Sequence, residues 1–253
     1  MHKVEIGLAT LYLGDCLEVM KQIPDKSVDA IICDLPYGTT ACKWDSVIPF
    51  EPMWLQYKRV IKDNGAIILF GQEPFSSLLR MSNIGEYKYD WIWDKVKPGT
   101  FATAKYQPLR QHELISVFYK NFGAYNPQMT DRDKPKTSRP YSNERTSLWL
   151  KYNDEQSKTY TQLYPKTILK YSNATQKGKV HPTQKPVDLL EYLVKTYTKE
   201  SNTILDNCMG SGTTGVACAN MGKTFIGIEK DPKYFDISCK RIQMALAQER
   251  LFA

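Results

Sequence analysis

Val28-Asp29-Ala30-Ile31-Ile32-Cys33-Asp34-Leu35-Pro36-Tyr37 runs from an apolar strand directly into a carboxylate, a proline and an aromatic ring. The run Val28–Cys33 is of the kind buried on both faces of a parallel sheet. Outward from it, strand and helix patterns alternate. Strands are expected at Ala9–Leu13, Ala66–Phe70, Tyr89–Trp93, Leu114–Tyr119, Thr203–Leu205 and Thr224–Ile228. Helices are expected from about Cys16 to Gln22, near Pro52–Ile61 and Pro74–Met81, and at Val187–Tyr197, Gly212–Met221 and Pro232–Leu246. Such alternation defines an α/β fold. Ligands in open α/β sheets bind at the carboxyl ends of the strands, which puts Asp34 at the rim of a crevice.

A second stretch, Asp206-Asn207-Cys208-Met209-Gly210-Ser211-Gly212-Thr213-Thr214, also leaves a strand and opens a helix. Glycines there let the backbone approach a ligand closely. Glu229 ends the next strand, at the roughly 20-residue separation from which an acidic side chain holds ribose hydroxyls. With Gly215 the turn is a formal G-x-G-x-x-G, so this segment alone leaves NAD and S-adenosylmethionine both open. Asp206 and Asp34 are expected to face one crevice.

The chemistry around Asp34 is specific in one respect. Pro36 fixes its own φ and pushes Leu35 to an extended conformation, aiming the Leu35 carbonyl and Tyr37 outward. The carboxylate and that carbonyl are two acceptors for the two N–H bonds of an exocyclic amine. Binding both favours a pyramidal nitrogen with a free lone pair. Taken alone, the four residues read more readily as a plain turn between strand and helix than as a catalytic site.

The 253 residues can form one large domain, or a domain plus a small lobe. No apolar run approaches the ~20 residues that span a bilayer, and the N-terminus lacks a signal peptide's apolar core, so a cytoplasmic protein is expected. No two of the six cysteines form a C-x-x-C pair and no histidine stands at ligand spacing, so buried reduced thiols are expected and no metal site. The net charge of +7 is unevenly spread. Lys120–Val180 holds 12 Lys or Arg and 5 Asp or Glu, while the other 192 residues carry 22 of each sign. That segment lacks periodicity, interleaves eight aromatic rings with its basic residues, and is expected to be a small irregular lobe. A basic surface of this kind attracts phosphates, and Lys134, Lys136, Arg139 and Arg145 are the expected contacts.

Together the motifs resemble the amino-group DNA methyltransferases, with Asp34-Leu35-Pro36-Tyr37 as the D-P-P-Y motif. Leu13-Gly14-Asp15-Cys16, Asp90–Lys95, His112–Lys120 and His181-Pro182-Thr183-Gln184-Lys185-Pro186 extend the resemblance over nearly the whole chain. Catalytic motif first and glycine turn last is the β-type, circularly permuted order. The resemblance implies a seven-stranded, Rossmann-like class I methyltransferase sheet formed by residues 1–120 and 181–253, with a target-recognition region at 121–180. It implies S-adenosylmethionine as methyl donor and double-stranded DNA as partner. A homodimer and a cognate restriction endonuclease stay open.

Carried over position by position, Asp34, Leu35 (through its carbonyl), Pro36 and Tyr37 would form the catalytic pocket around a base flipped out of the duplex. Asp15 and Cys16 would sit at the cofactor's adenine. Asp34, Asp206, Cys208, Gly210, Ser211, Gly212, Thr213 and Thr214 would line the cofactor, with Glu229 on its ribose. His181, Thr183, Gln184 and Lys185 would close over its methionine part. Leu35 departs from the usual first proline but keeps the carbonyl; Cys208 stands where phenylalanine is commonest. An Asp at position 34 favours N6 of adenine, with N4 of cytosine and a catalytically silent DNA-binding relative as the alternatives.

Overall fold

The computed structural model describes residues 2–38, 46–138, 141–142, 153–154, 157–173 and 184–252. The chain divides into two compact units, one of Met1–Asn126 with Thr167–Ala253 and one of Pro127–Lys166.

The larger unit begins with a hairpin, β1 (His2–Ile6) and β2 (Ala9–Leu13), followed by α1 (Cys16–Met20) and β3 (Val28–Asp34). Next come α2 (Phe50–Val60), β4 (Ile61–Gly71), α3 (Phe75–Ser82), β5 (Tyr87–Asp94) and β6 (His112–Phe118). In the smaller unit lie β7 (Thr130–Thr137), β8 (Tyr141–Ser142), β9 (Asn153–Asp154) and β10 (Thr159–Leu163). The larger unit resumes with β11 (Ile168–Lys170), α4 (Val187–Tyr197), β12 (Thr203–Asp206), α5 (Thr213–Asn220), β13 (Thr224–Glu229) and α6 (Pro232–Phe252).

Nine strands form one sheet in the order β1-β2-β13-β12-β3-β4-β6-β5-β11. The β2–β13–β12–β3–β4 strands are parallel, and β6 runs antiparallel between β4 and β5. The seven expected strands are the central ones, and the count is corrected from seven to nine by β1 and β11 at the edges. Both were invisible for a physical reason. His2–Ile6 presents charged Lys3 and Glu5 outward at an edge, and Ile168–Lys170 is three residues long within a polar segment. β4 also starts earlier than the expected Ala66, at Ile61. The exposed Lys62, Asp63 and Asn64 bulge out of the ladder, so that Val28 pairs with Ile61 but Ala30 pairs with Ala66.

Alternating side chains of the central strands feed two cores. Ile32, Ala66, Ile68 and Phe70 pack with α4, α5 and α6 through residues such as Leu193, Ala217 and Ile242. Ile31, Cys33, Ile67 and Leu69 pack with α1, α2 and α3 through Met20, Tyr57 and Leu79. Burial on both faces is why Val28–Cys33 reads as a nearly unbroken apolar run.

From β3 the chain crosses through α2 to β4 on one side; from β12 it crosses through α5 to β13 on the other. The strand order therefore reverses between the adjacent β3 and β12, the place where open α/β sheets form their ligand crevice.

The smaller unit is built on an antiparallel β7–β10 ladder in which Thr137 faces Thr159 and Leu163 faces Thr130; β8 pairs with β9. It is narrower than the expected 121–180 region, because residues 121–126 and those from Thr167 fall in the larger unit. It also carries regular ladders where an irregular lobe was expected. Lys134 and Lys136 sit exposed two positions apart on β7.

Candidate active site

Asp34 is the last residue of β3 and Asp206 the last of β12. Both line one cavity of about 790 Å³ at the carboxyl rim, within the ~300–1,000 Å³ common for small-molecule sites. Leu35, Pro36, Tyr37, Asp15, Cys16, Gln184, Lys185, Cys208, Gly210, Ser211, Thr213, Thr214 and Glu229 line it as well.

At the β12 end, Asp206 is buried and accepts hydrogen bonds from the Thr214 hydroxyl (2.7 Å) and the Cys208 amide (3.1 Å). Burial dominates over these bonds and pushes its carboxyl up to about 6. The turn that follows needs its glycines for different reasons. Gly210 has φ +51° and open space around its Cβ position, leaving its backbone bare toward the cavity. Gly212 has φ +77°, and a Cβ there would meet the Ser238 Cβ at 2.7 Å. Gly212 does not line the cavity; it sets the shape of the turn. Glu229 accepts from the amides of Gly210 (2.8 Å), Lys230 (2.9 Å) and Asp231 (2.8 Å), and burial raises its carboxyl.

Asp15 caps α1 by accepting from the Leu17 amide at 2.9 Å, and the Gly14 amide reaches the Glu229 carbonyl at 2.9 Å. This ties the Asp15–Cys16 turn to the acidic end of β13. Cys16, Cys33 and Cys208 interact side by side and stay protonated: contact with Cys208 raises the Cys16 thiol, and burial pushes Cys33 up to about 12.

At the β3 end, the Tyr37 hydroxyl donates to Asp34 Oδ1 at 2.7 Å, and Lys185 Nζ donates to Asp34 Oδ2 at 2.5 Å. Leu35 is buried, so the side chain that replaces the usual proline packs inward. The Lys185 ammonium thus pairs with Asp34, with Glu113 Oε2 at 3.4 Å, and its residue lines the same cavity. Burial raises the Asp34 carboxyl above its usual range; the Lys185 charge opposes this and the Glu113 charge adds to it.

His181 and Thr183, expected at the cofactor, and Arg139 and Arg145, expected at DNA, lie outside the described residues. Among the described residues, no group of His, Cys, Asp and Glu is arranged to hold a metal ion, and no helix is long and apolar enough to cross a membrane.

Several site residues escaped the sequence reading. Arg241 of α6 donates to the Ser211 carbonyl (2.6 Å) and hydroxyl (2.9 Å), bracing the glycine turn from behind. Buried Tyr57 donates to Asn207 Oδ1 at 2.5 Å. Glu113 and Lys95 form an ion pair at the cavity wall. A signal for Glu113 existed: β6 is antiparallel, so its first residues lie at the same rim as the last residues of β5, with Trp93 facing Glu113.

The family N6_N4_Mtase, described as DNA methylase, matches residues 28–240. The chain therefore belongs to the N6/N4 DNA methylase family. Type II methyltransferase M.HinfI of Haemophilus influenzae is 27% identical over 93% of this chain and 68% of its own length. Type II methyltransferase M2.LlaDCHI of Lactococcus lactis subsp. cremoris is 28% identical over 92% of this chain and 89% of its own. In fold, the chain is similar to the M1.HpyAVI–SAM complex (TM-score 0.62, 23% identity, covering 92% of this chain and 99% of that one). It is also similar to the cytosine-N4-specific PvuII DNA methyltransferase (TM-score 0.65, 15% identity, covering 95% and 90%).

Proposed function

We propose that this DNA methylase moves a methyl group from S-adenosylmethionine to the exocyclic N6 of an adenine flipped out of double-stranded DNA. The observation that carries the reading is the meeting of Asp34–Tyr37 with Asp206–Thr214 and Glu229 in one cavity. The residues fit the donor: a bare backbone at Gly210, a buried acidic strand end at Asp206 and a second carboxylate at Glu229 suit a nucleoside with ribose hydroxyls. Asp206, Gly210, Ser211, Thr213, Thr214, Glu229, Asp15, Cys16, His181, Thr183 and Gln184 would hold it, with Gly212 setting the shape of the turn. When bound, it supplies an electrophilic methyl on a sulfonium.

The chain supplies the rest. The Asp34 carboxylate and the Leu35 carbonyl accept the two amine N–H bonds, and Tyr37 stacks on the base. The amine is unreachable inside the stacked duplex, so the base must be extruded. Lys134 and Lys136, with Arg139 and Arg145, would contact phosphates, and residues near them would read the target sequence. Asp at position 34 favours adenine over cytosine. The test is digestion of DNA treated with the enzyme and S-adenosylmethionine, followed by mass spectrometry of the nucleosides. N6-methyladenine supports the reading; N4-methylcytosine alone overturns the choice of base.

A further inference from the structure

The wall of the cavity beside Asp34 holds three charged groups that the reaction as described does not use. Lys185 Nζ lies 2.5 Å from Asp34 Oδ2 and 3.4 Å from Glu113 Oε2. Glu113 Oε1 is in turn paired with Lys95. With Asp34 at the end of β3, they come from three further places in the fold: the approach to α4, the start of β6 and the residue after β5. Lys185 and Glu113 are both buried. The Lys185 ammonium also lies 5.3 Å from the Phe70 ring centre, 5.8 Å from Trp93 and 5.9 Å from Tyr37. A cation set among three rings and two carboxylates has few other places to go.

We propose that Lys185 is the positioning residue of Asp34: its ammonium keeps the carboxylate ionised and aimed into the cavity, while Glu113 and Lys95 hold Lys185 in place. The proposal rests on the reading of Asp34 as acceptor of the target amine. An amine N–H needs an acceptor; a protonated carboxyl would turn a donor toward it. Burial favours that protonated form, and the adjacent ammonium is the group that opposes it. The other titratable or charged groups that bear on Asp34 are Tyr37 from the loop after β3, Cys33 within β3, Glu113 from β6 and Asp206 from β12. Glu113 and Asp206 are negative and work against the ionised state. Tyr37 supports it through its hydroxyl, and Cys33 is a neutral thiol. Lys185 is thus the nearest positive charge, and Glu113 tempers its effect.

Two substitutions therefore push in opposite directions. Lys185→Met removes the counter-charge, so the acid limb of activity moves to higher pH. Glu113→Gln removes a like charge and leaves Lys185 to Asp34, so the limb moves to lower pH. Neither direction follows if the cluster only supports the fold.

The experiment is single-turnover methyl transfer to DNA across the pH range, for wild type, Lys185→Met, Lys185→Arg, Glu113→Gln and Asp34→Ala. S-adenosylmethionine affinity is measured by calorimetry and folding by thermal unfolding. For Lys185→Met, the rate near pH 7 should fall by roughly tenfold or more and climb back as pH rises, with cofactor affinity unchanged and Lys185→Arg restoring the wild-type limb. A loss that is the same at every pH, or that tracks a fall in cofactor affinity, overturns the proposal. Should Lys185→Met fail to fold, Glu113→Gln decides: a limb that stays put or moves to higher pH overturns it. Wild-type turnover that survives Asp34→Ala removes the amine-acceptor reading and the proposal with it; failure at Lys185 alone leaves that reading standing.

Discussion

Asp34 and Asp206 end adjacent parallel strands, β3 and β12, whose ladder pairs Ala30 with Ile204 and Ile31 with Leu205. One carboxylate lies beside Tyr37 and Lys185 and the other at the glycine turn of the same cavity, although 171 residues separate them in the chain. The adjacency follows from topology alone. The strand order reverses between these two strands, so their carboxyl ends open onto one crevice.

The glycine turn should tolerate no side chain at position 212. Gly212→Ala combines a left-handed backbone with a 2.7 Å approach to Ser238 Cβ, at the start of α5. The expected cost is about 2–4 kcal/mol, read as a fall in melting temperature of about 5 °C or more. An unchanged melting temperature would show that the turn can rearrange.

Asp206 links stability to pH. Its folded-state carboxyl, at about 6, lies above the ordinary 3.8, so between those values the folded state holds more protons than the unfolded one. Its contribution to stability therefore falls as pH rises through this window. Asp206→Asn should flatten the dependence of unfolding free energy on pH between about 4 and 6, measured by denaturant titration. An identical slope in both proteins would count against a buried, raised carboxyl.

Under the proposed function, Tyr37 acts through its hydroxyl as well as its ring. Tyr37→Phe keeps the ring but removes the 2.7 Å hydrogen bond to Asp34 Oδ1. A hydrogen bond to a charged group is worth ~1.5–3 kcal/mol, so single-turnover rates should fall about tenfold to a hundredfold with DNA affinity unchanged. An unaffected rate would leave the hydroxyl without a part in orienting Asp34.

On the smaller unit, Lys134 and Lys136 are exposed and two positions apart on β7, and so share a face. If both contact phosphates, replacing both by Ala should lower the slope of log affinity against log salt by about 2. An unchanged slope would move the phosphate contacts elsewhere in the basic segment.

What could be read in advance follows the range of the interactions involved. The apolar run Val28–Cys33 and the glycine turn are local signals, and the structure puts both where alternation and turn chemistry require. The edge strands β1 and β11 left weak signals, because an edge strand is half exposed and here short or charged. The side of Lys185 was not legible. Spacing places it next to Gln184 and Pro186, but its partner Asp34 stands 151 residues earlier and is met only through the sheet. Glu113 stands at the amino end of its strand, where a parallel sheet places no ligand groups, and only the antiparallel course of β6 brings that end to the rim.

Everything proposed for the site depends on Asp34 accepting the amine that becomes methylated. Transfer of a labelled methyl group from S-adenosylmethionine to DNA, compared between wild type and Asp34→Ala, tests it most directly. The expected result is transfer by the wild type and a loss of about a hundredfold or more in the variant, with DNA binding retained. Equal transfer by both proteins, or none to DNA by the wild type, would contradict it.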